Sequence, residues 1–360
     1  MVLKNTALQN LTIVIFSYNR HRCLQRSIDY WLNYNVKILI LDGSETKLEV
    51  SHINNKNITY VYDPRSLHDR LLSSIDYIET EFVMLSTDDE FYLPSAITSC
   101  INFLSNNSSY SSCGGRAVKF YTRKNQVNGH KCYPGLENLS LNDDKARNRV
   151  KKHFSKYVPA HFYSVIRSNI FKIICKNVFE KNYNVYAFFE LQIEFLVMIS
   201  GKSKIIPELM WIRNKEEIPI MVKYPKLAFP IRIEEWWYRK DKQDDKENFL
   251  KRTKNICNTL SSPEELEFKE KTILELFEIY INSRKKLIQK KKINYKKFLE
   301  LIPKSVKNLV KLIIFWDKIK TLKSNSLLHE AHLLENQNVI VNYRELDKVI
   351  STINSWKTFK

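Results

Sequence analysis

The chain has 360 residues, 44% hydrophobic and 27% charged, which excludes disorder as its main state and leaves enough apolar material for one large domain or two ordinary ones. Its 58 Lys and Arg against 39 Asp and Glu give a formal charge of +19, so a polyanion or an anionic surface is an expected neighbour. Only 6 Gly and 10 Pro exclude collagen-like and linker classes, and six scattered cysteines without zinc or C-x-x-C spacing point to buried thiols in a reduced cytosolic protein.

Met1–Asn10 lacks the basic start and apolar run of a secretory signal, and no window approaches the roughly 18 apolar residues that cross a bilayer. The expectation is a cytoplasmic protein, soluble or peripheral on the inner face of the membrane. Leu11–Phe16 is a short, β-branched-rich strand that stops at Ser17-Tyr18-Asn19, and Cys23–Leu32 follows with helical spacing. Val36–Leu41 is a second strand ending in Asp42-Gly43-Ser44, and Ile58–Tyr62 a third. The spacing of Leu67, Leu71, Ile75 and Ile78 predicts a helix over Ser66–Ile78. Phe82–Leu85 is a fourth strand, running into Ser86-Thr87-Asp88-Asp89-Glu90. Strands separated by helix-length segments imply βαβ units and a mainly parallel sheet, whose ligands gather at the carboxyl ends of the strands. From about Glu234 the pattern turns helical, with Ser262 and Pro263 as a helix start, a helix over Leu266–Ile281, and one late strand at Asn338–Asn342. A catalytic part, 1–233, and a helical basic part, 234–360, are expected.

Two groups of acids carry the chemistry. Asp88 and Asp89 at a strand end repel each other unless a cation sits between them, and oxygen ligands favour Mg²⁺ or Mn²⁺. The plainer reading is a solvated turn capping the helix that starts at Pro94. Glu190 and Glu194, four apart in the apolar stretch Phe188–Ile199, share a helix face. There they must be paired, lie on one polar stripe, or act in function. Trp236-Trp237-Tyr238 suits core packing or stacking on a sugar ring, and His161 beside Phe162-Tyr163 reads as structural.

LTIVIFSYNR, ILDGS and FVMLSTDDEF together resemble the family 2 glycosyltransferases of the GT-A fold, in a bacterial branch associated with cell-surface polysaccharides such as capsule and lipopolysaccharide. The resemblance covers roughly Leu11 to Arg213. It implies an α/β, Rossmann-like, mainly parallel sheet and an inverting sugar transfer from a nucleotide-sugar, UDP-sugar being the commonest donor in the family, to a glycan or lipid-linked acceptor. By it, Ser17, Tyr18, Asn19 and Arg20 lie near the nucleotide, Asp42, Gly43 and Ser44 contact the base, and Arg70 is a basic neighbour of the nucleotide. The usual doubled aspartate before the glycine is reduced to Asp42, Leu41 taking the first place. The family's Asp-x-Asp motif falls on Thr87-Asp88-Asp89, with Asp89 as direct metal ligand and Asp88 near the ribose or the metal. Counting back eleven from Gly201, in a helix–Gly–strand unit, the resemblance makes Glu190 the catalytic base, with Glu194 one turn on as the fallback. Gly114-Gly115-Arg116 matches the strand on the acceptor side.

A sugar nucleotidyltransferase would need a Gly-rich phosphate loop after the first strand, and Ser17–Arg22 has no glycine. A non-enzymatic membrane- or nucleic-acid-binding protein would explain the charge but not the strand-end acids, and no nucleic-acid signature is present, so nucleic acid is not an expected partner. Residues 281–323 hold fourteen Lys and Arg against Glu300 and Asp317, +12 of the total. Within them, Pro303–Lys323 spaces Lys304, Lys307 and Lys311 along one helical stripe and Ile313 and Trp316 along another, a pattern suited to an anionic membrane surface or to packing on the catalytic part.

Overall fold

The computed structural model describes residues 6–49, 55–123, 126–137, 139–215, 231–261, 268–300 and 325–356, with side chains described to 289 in the sixth stretch. β1 (Leu11–Ser17) is buried at every position but one, as expected of a run of Leu, Ile and Val without turn formers. α1 (His21–Trp31) buries Cys23, Leu24, Ile28 and Trp31. β2 (Lys37–Asp42) and β3 (Ile58–Tyr62) follow. α2 (Leu67–Ser73) starts at Ser66, whose Oγ accepts the Asp69 amide at 3.2 Å. It stops short of the expected Ile78, giving way to a 3₁₀ turn over Ser74–Asp76. Ser73 and Ser74 donate their hydroxyls to the carbonyls of Arg70 and Leu71, at 2.9 and 2.7 Å, and so compete with the helical ladder.

β4 (Phe82–Thr87) and β5 (Phe91–Tyr92) lead into α3 (Pro94–Ser105), which opens on proline at its first turn. Next come β6 (Tyr110–Arg123), β7 (Gln126–Lys131), β8 (Ser140–Leu141), α4 (Ala146–Ser155), β9 (Val165–Arg167), α5 (Ser168–Phe179), β10 (Val185–Tyr186), α6 (Phe188–Ser200) and β11 (Lys202–Asn214). The strand that follows Gly201 in the expected helix–Gly–strand unit is a long one, Lys202–Asn214. The main sheet runs β7-β6-β9-β4-β1-β2-β3, with the late strand Asn325–Ser326 on the β7 edge and β11 pairing β5, β6 and β8. It is parallel over β4-β1-β2-β3 and across β6 and β11, and β9 is antiparallel to both its neighbours. The expected α/β class with a mainly parallel core is what the chain forms. The register sets Ser17 opposite Asp42 and Phe16 opposite Thr87, so three strands end side by side.

Beyond Arg232 the described residues are mostly helical: β12 (Ile231–Arg232), α7 (Ile233–Trp236), α8 (Gln243–Leu260), α9 (Glu270–Glu300), β13 (Asn325–Ser326), α10 (Leu327–Glu335) and α11 (Tyr343–Ser355). α8 packs on α6, α9 on α4, and α11 on α1. Trp236 and Trp237 are core, Trp237 stacking on Phe277 at 5.6 Å, while Tyr238 points outward under the Lys285 ammonium. All six cysteines are free and buried. The strand expected at Asn338–Asn342 reduces to a single bridge between Ile340 and Glu208. Asn338 takes a left-handed φ of 59° and Asn342 already caps α11, which leaves too little extended chain between them for a ladder. The Ser262–Pro263 helix start and the basic stretch Pro303–Lys323 lie outside the described residues.

Candidate active site

The first two strand-end turns are clasped to each other. Asn19 adopts a left-handed φ of 51°, which asparagine tolerates better than most residues. Its amide donates to Ser44 Oγ at 2.8 Å, and its Oδ1 accepts the Glu45 amide at 2.8 Å. The Gly43 amide donates to the Ser17 carbonyl at 3.1 Å. Asp42 is fully buried and accepts from the Ser44 amide (3.0 Å), the Ser44 hydroxyl and Tyr60 Oη (2.7 Å). The Tyr18 hydroxyl reaches Glu45 Oε1 at 3.4 Å. Arg70 lies beneath this pair of turns, its Nη1 donating to the carbonyls of Ser17 (2.9 Å) and Leu41 (2.8 Å). A Cβ on Gly43 would meet the Arg70 guanidinium carbon at 2.3 Å, so only glycine admits that cation. Arg70 therefore acts as a buried strut that fixes both turns.

The third strand end brings the acids. Asp88 is fully buried, accepting the Ser17 hydroxyl at 2.6 Å, Arg20 Nε at 3.2 Å and a further bond from Arg20 Nη2. Burial pushes its carboxyl up to about 7, even against the attraction of Arg20. Asp89 is more open, its side chain 13% exposed. Its Oδ1 accepts the Thr87 hydroxyl at 2.8 Å, and its Oδ2 accepts Arg20 Nη1 at 2.9 Å and Asn214 Nδ2 at 3.4 Å. Arg26 donates to its carbonyl at 3.1 Å. Thr87, standing where the family motif has its first acid, thus aims the second. Glu90 accepts Trp211 Nε1 at 2.7 Å and lies 3.4 Å from Arg213 Nε. Burial, reinforced by the charge on Asp89, pushes Glu90 up to about 8. One partly open carboxylate beside a covered one suits a Mg²⁺ or Mn²⁺ ion that takes most of its oxygens from substrate phosphates and water, with Asp89 as the protein ligand.

On α6 the two glutamates differ sharply. Glu194 is fully buried: its Oε1 accepts the amides of His161 (2.7 Å) and Phe162 (2.8 Å), and its Oε2 meets His153 Nε2 at 2.9 Å. Burial alone would raise its carboxyl, but the His153 bond and the neighbouring histidines and amides outweigh that and hold it low. Glu190 is half-buried and forms no hydrogen bond to the described residues. Burial, then the charge of Glu194 one turn away, pushes it up to about 7. α6 ends at Gly201, followed directly by β11, so the helix–Gly–strand unit is present.

Aromatic contacts link the two acid groups. Phe189, beside Glu190, packs on His68 at 5.6 Å, two residues before Arg70. Tyr163 lies 4.5 Å from Trp211, and burial, Glu190, Glu90 and Asp89 all act to keep its hydroxyl protonated. Sequence reasoning missed Arg20 as the partner of both aspartates, and His153 and Trp211 altogether, because each pairing spans 40 or more residues and leaves no local spacing to read. His153, His161 and Glu194 do offer three ligand atoms within 4.8 Å of one another. Both carboxylate oxygens there already face N–H donors, and the trio serves as a buried hydrogen-bonded lock between α4, α6 and the 160–164 turn.

Residues 12–174, a little under half of the chain, match the family described as Glycosyl transferase family 2. The match takes in Asp42, Arg70, Asp88 and Asp89, and it marks residues 12–174 as a family 2 glycosyltransferase domain. No curated protein matches the sequence. Among solved structures, residues 1–349 of S. aureus TarS are similar over 78% of this chain and 91% of that one, at 8% identity and a TM-score of 0.46. A longer S. aureus TarS structure is similar over 76% of this chain and 55% of that one, at 8% identity and a TM-score of 0.42. At such scores neither likeness adds weight to the assignment.

Proposed function

We propose that the protein moves a sugar, with inversion, from a nucleotide-diphosphate sugar to a glycan or lipid-linked acceptor in cell-surface polysaccharide synthesis, UDP-sugars being the first donors to try. The observation that carries this reading is the convergence of Asp42, Asp88 and Asp89 at the carboxyl ends of three adjacent strands, with Glu190, which has no hydrogen-bond partner among the described residues, near Tyr163, whose hydroxyl also feels Asp89. The Ser17–Arg20 turn, held in shape by the buried Asp42, would meet the nucleoside, and the buried Asp88 would fix Arg20 beside it. A Mg²⁺ or Mn²⁺ ion held by Asp89 would neutralise the departing diphosphate. Glu190 takes the proton of the attacking hydroxyl, and a carboxyl poised near 7 is matched to that task. Glu194, already held by three donors, anchors the helix that presents it. We propose also that the helices after residue 233 brace this catalytic part, and that the basic stretch 281–323 meets an anionic membrane surface. The test of the donor site is a nucleotide panel by titration calorimetry with Mn²⁺. One of UDP, GDP, CDP or dTDP should bind, and Asp42→Ala should weaken it at least tenfold. Equal binding to that variant would remove the three strand ends from the donor site.

A further inference from the structure

We infer that Arg20 is the resident cation of the donor site. It neutralises Asp88 and Asp89 while no donor is bound, and it gives up Asp89 to the divalent ion that arrives with a nucleotide diphosphate. The inference rests on the metal reading above.

Arg20 spreads its fork over both carboxylates, Nε and Nη2 on Asp88 and Nη1 on Asp89. The two ends of that fork are not equivalent. Asp88 is sealed and shares its oxygens with Ser17, whereas Asp89 is open to the crevice and its Oδ1 is steadied independently by Thr87. Asp89 can therefore lose Nη1 and keep its place, while Arg20 stays tethered through Asp88. A metal ion on Asp89 would compete with Nη1 for Oδ2, and the two cations would repel each other across a poorly solvated gap. The freed Nη1 edge suits a diphosphate oxygen, for which guanidinium is the better-matched donor. The left-handed Asn19, locked by Ser44 and Glu45, fixes the backbone from which Arg20 reaches, so the exchange needs only the side chain to turn. The consequence is ordered occupancy: the empty enzyme binds the ion poorly, and ion and nucleotide enter together.

The test is Mn²⁺ binding to the full chain without nucleotide, followed by the loss of the free-ion signal in electron paramagnetic resonance. Arg20→Gln should bind Mn²⁺ at least tenfold more tightly than wild type, and adding Asp89→Ala to it should abolish the gain. Arg20→Lys, which keeps a charge but not the fork, should fall between the two and decides the matter if Arg20→Gln does not fold. Binding no tighter than wild type in the folded variants overturns the inference. As a control, UDP with Mn²⁺ should raise the wild-type melting temperature more than UDP alone. If that control holds and the variants gain nothing, only the exchange fails. If Mn²⁺ adds nothing to UDP and binds none of the proteins, the metal reading falls and the exchange falls with it.

Discussion

Glu190 and Glu194 are one helical turn apart, yet the fold gives them opposite chemistry. Glu194 is ionised and fully engaged, and its charge helps hold the proton on Glu190. Glu190→Gln should lower kcat by roughly 10²–10⁴-fold, the usual scale for losing a general base, with nucleotide affinity unchanged. In wild type the rate should rise with pH through about 7, because the base must first lose its proton. The same shift has a stability signature. A carboxyl with a raised folded value binds a proton in the folded state that the unfolded state has already released. Its contribution therefore declines as pH rises from the ordinary glutamate range through about 7. Glu190→Gln lacks that decline, so its melting temperature should gain on wild type between pH 5 and pH 8; parallel curves would show the shift is absent. Glu194→Ala should instead destabilise by roughly 3–5 kcal/mol, since it strands His153 and two buried amides. For the aspartates, Asp89→Ala should leave the melting temperature nearly unchanged, as Arg20 keeps Asp88. Asp88→Ala should lower it by several degrees, because it unpairs Ser17 and two edges of Arg20.

At the scale of elements, what could be read in the sequence was what is local. β1, β2, β3 and β4 are continuous apolar runs, and their turn chemistry is written in adjacent residues, so the strand ends were legible. α2 is shorter than its apolar spacing predicts because the hydroxyls of Ser73 and Ser74 redirect the backbone. Alternation over Asn338–Asn342 predicts a strand, but its two asparagines impose a turn and a cap. The site was half legible for the same reason: Asp42, Asp89 and Glu190 sit at fixed distances from turns or a glycine, but Arg20's grip on both acids exists only after β1 and β4 pair. Gly43 is the element-level test of the clasp. Gly43→Ala must displace Arg70, so it should cost about 1–3 kcal/mol of stability and weaken nucleotide binding through both turns at once. Wild-type binding in that variant would show that Arg70 does not set the turns.

Across the whole molecule, the basic charge and the candidate site are separated along the chain. The sheet and its strand-end acids occupy the front, while +12 of the +19 lies in 281–323. The C-terminal helices nonetheless close back on the front: the Glu345 carboxylate accepts the amide and hydroxyl of Ser95 at the start of α3, and Trp356 Nε1 donates to Asp29 on α1 at 3.0 Å. No helix among the described residues is long and apolar enough to cross a membrane. If a few of the basic residues meet an anionic leaflet, each adds roughly 1 kcal/mol of salt-sensitive attraction. The protein should then float with anionic vesicles at low salt and not with neutral ones; failure to float with anionic vesicles would assign the stretch to packing.

Sugar transfer from a nucleotide-sugar at the three strand ends is read out by release of nucleotide diphosphate from a panel of nucleotide-sugars, with Mn²⁺ or Mg²⁺ and in EDTA, for wild type and Asp89→Ala. Release from one donor with the metal, lost in EDTA and in Asp89→Ala, is the expected result. Turnover of none of the donors would rule out sugar transfer at these strand ends, and full turnover by Asp89→Ala in EDTA would rule out the metal on Asp89.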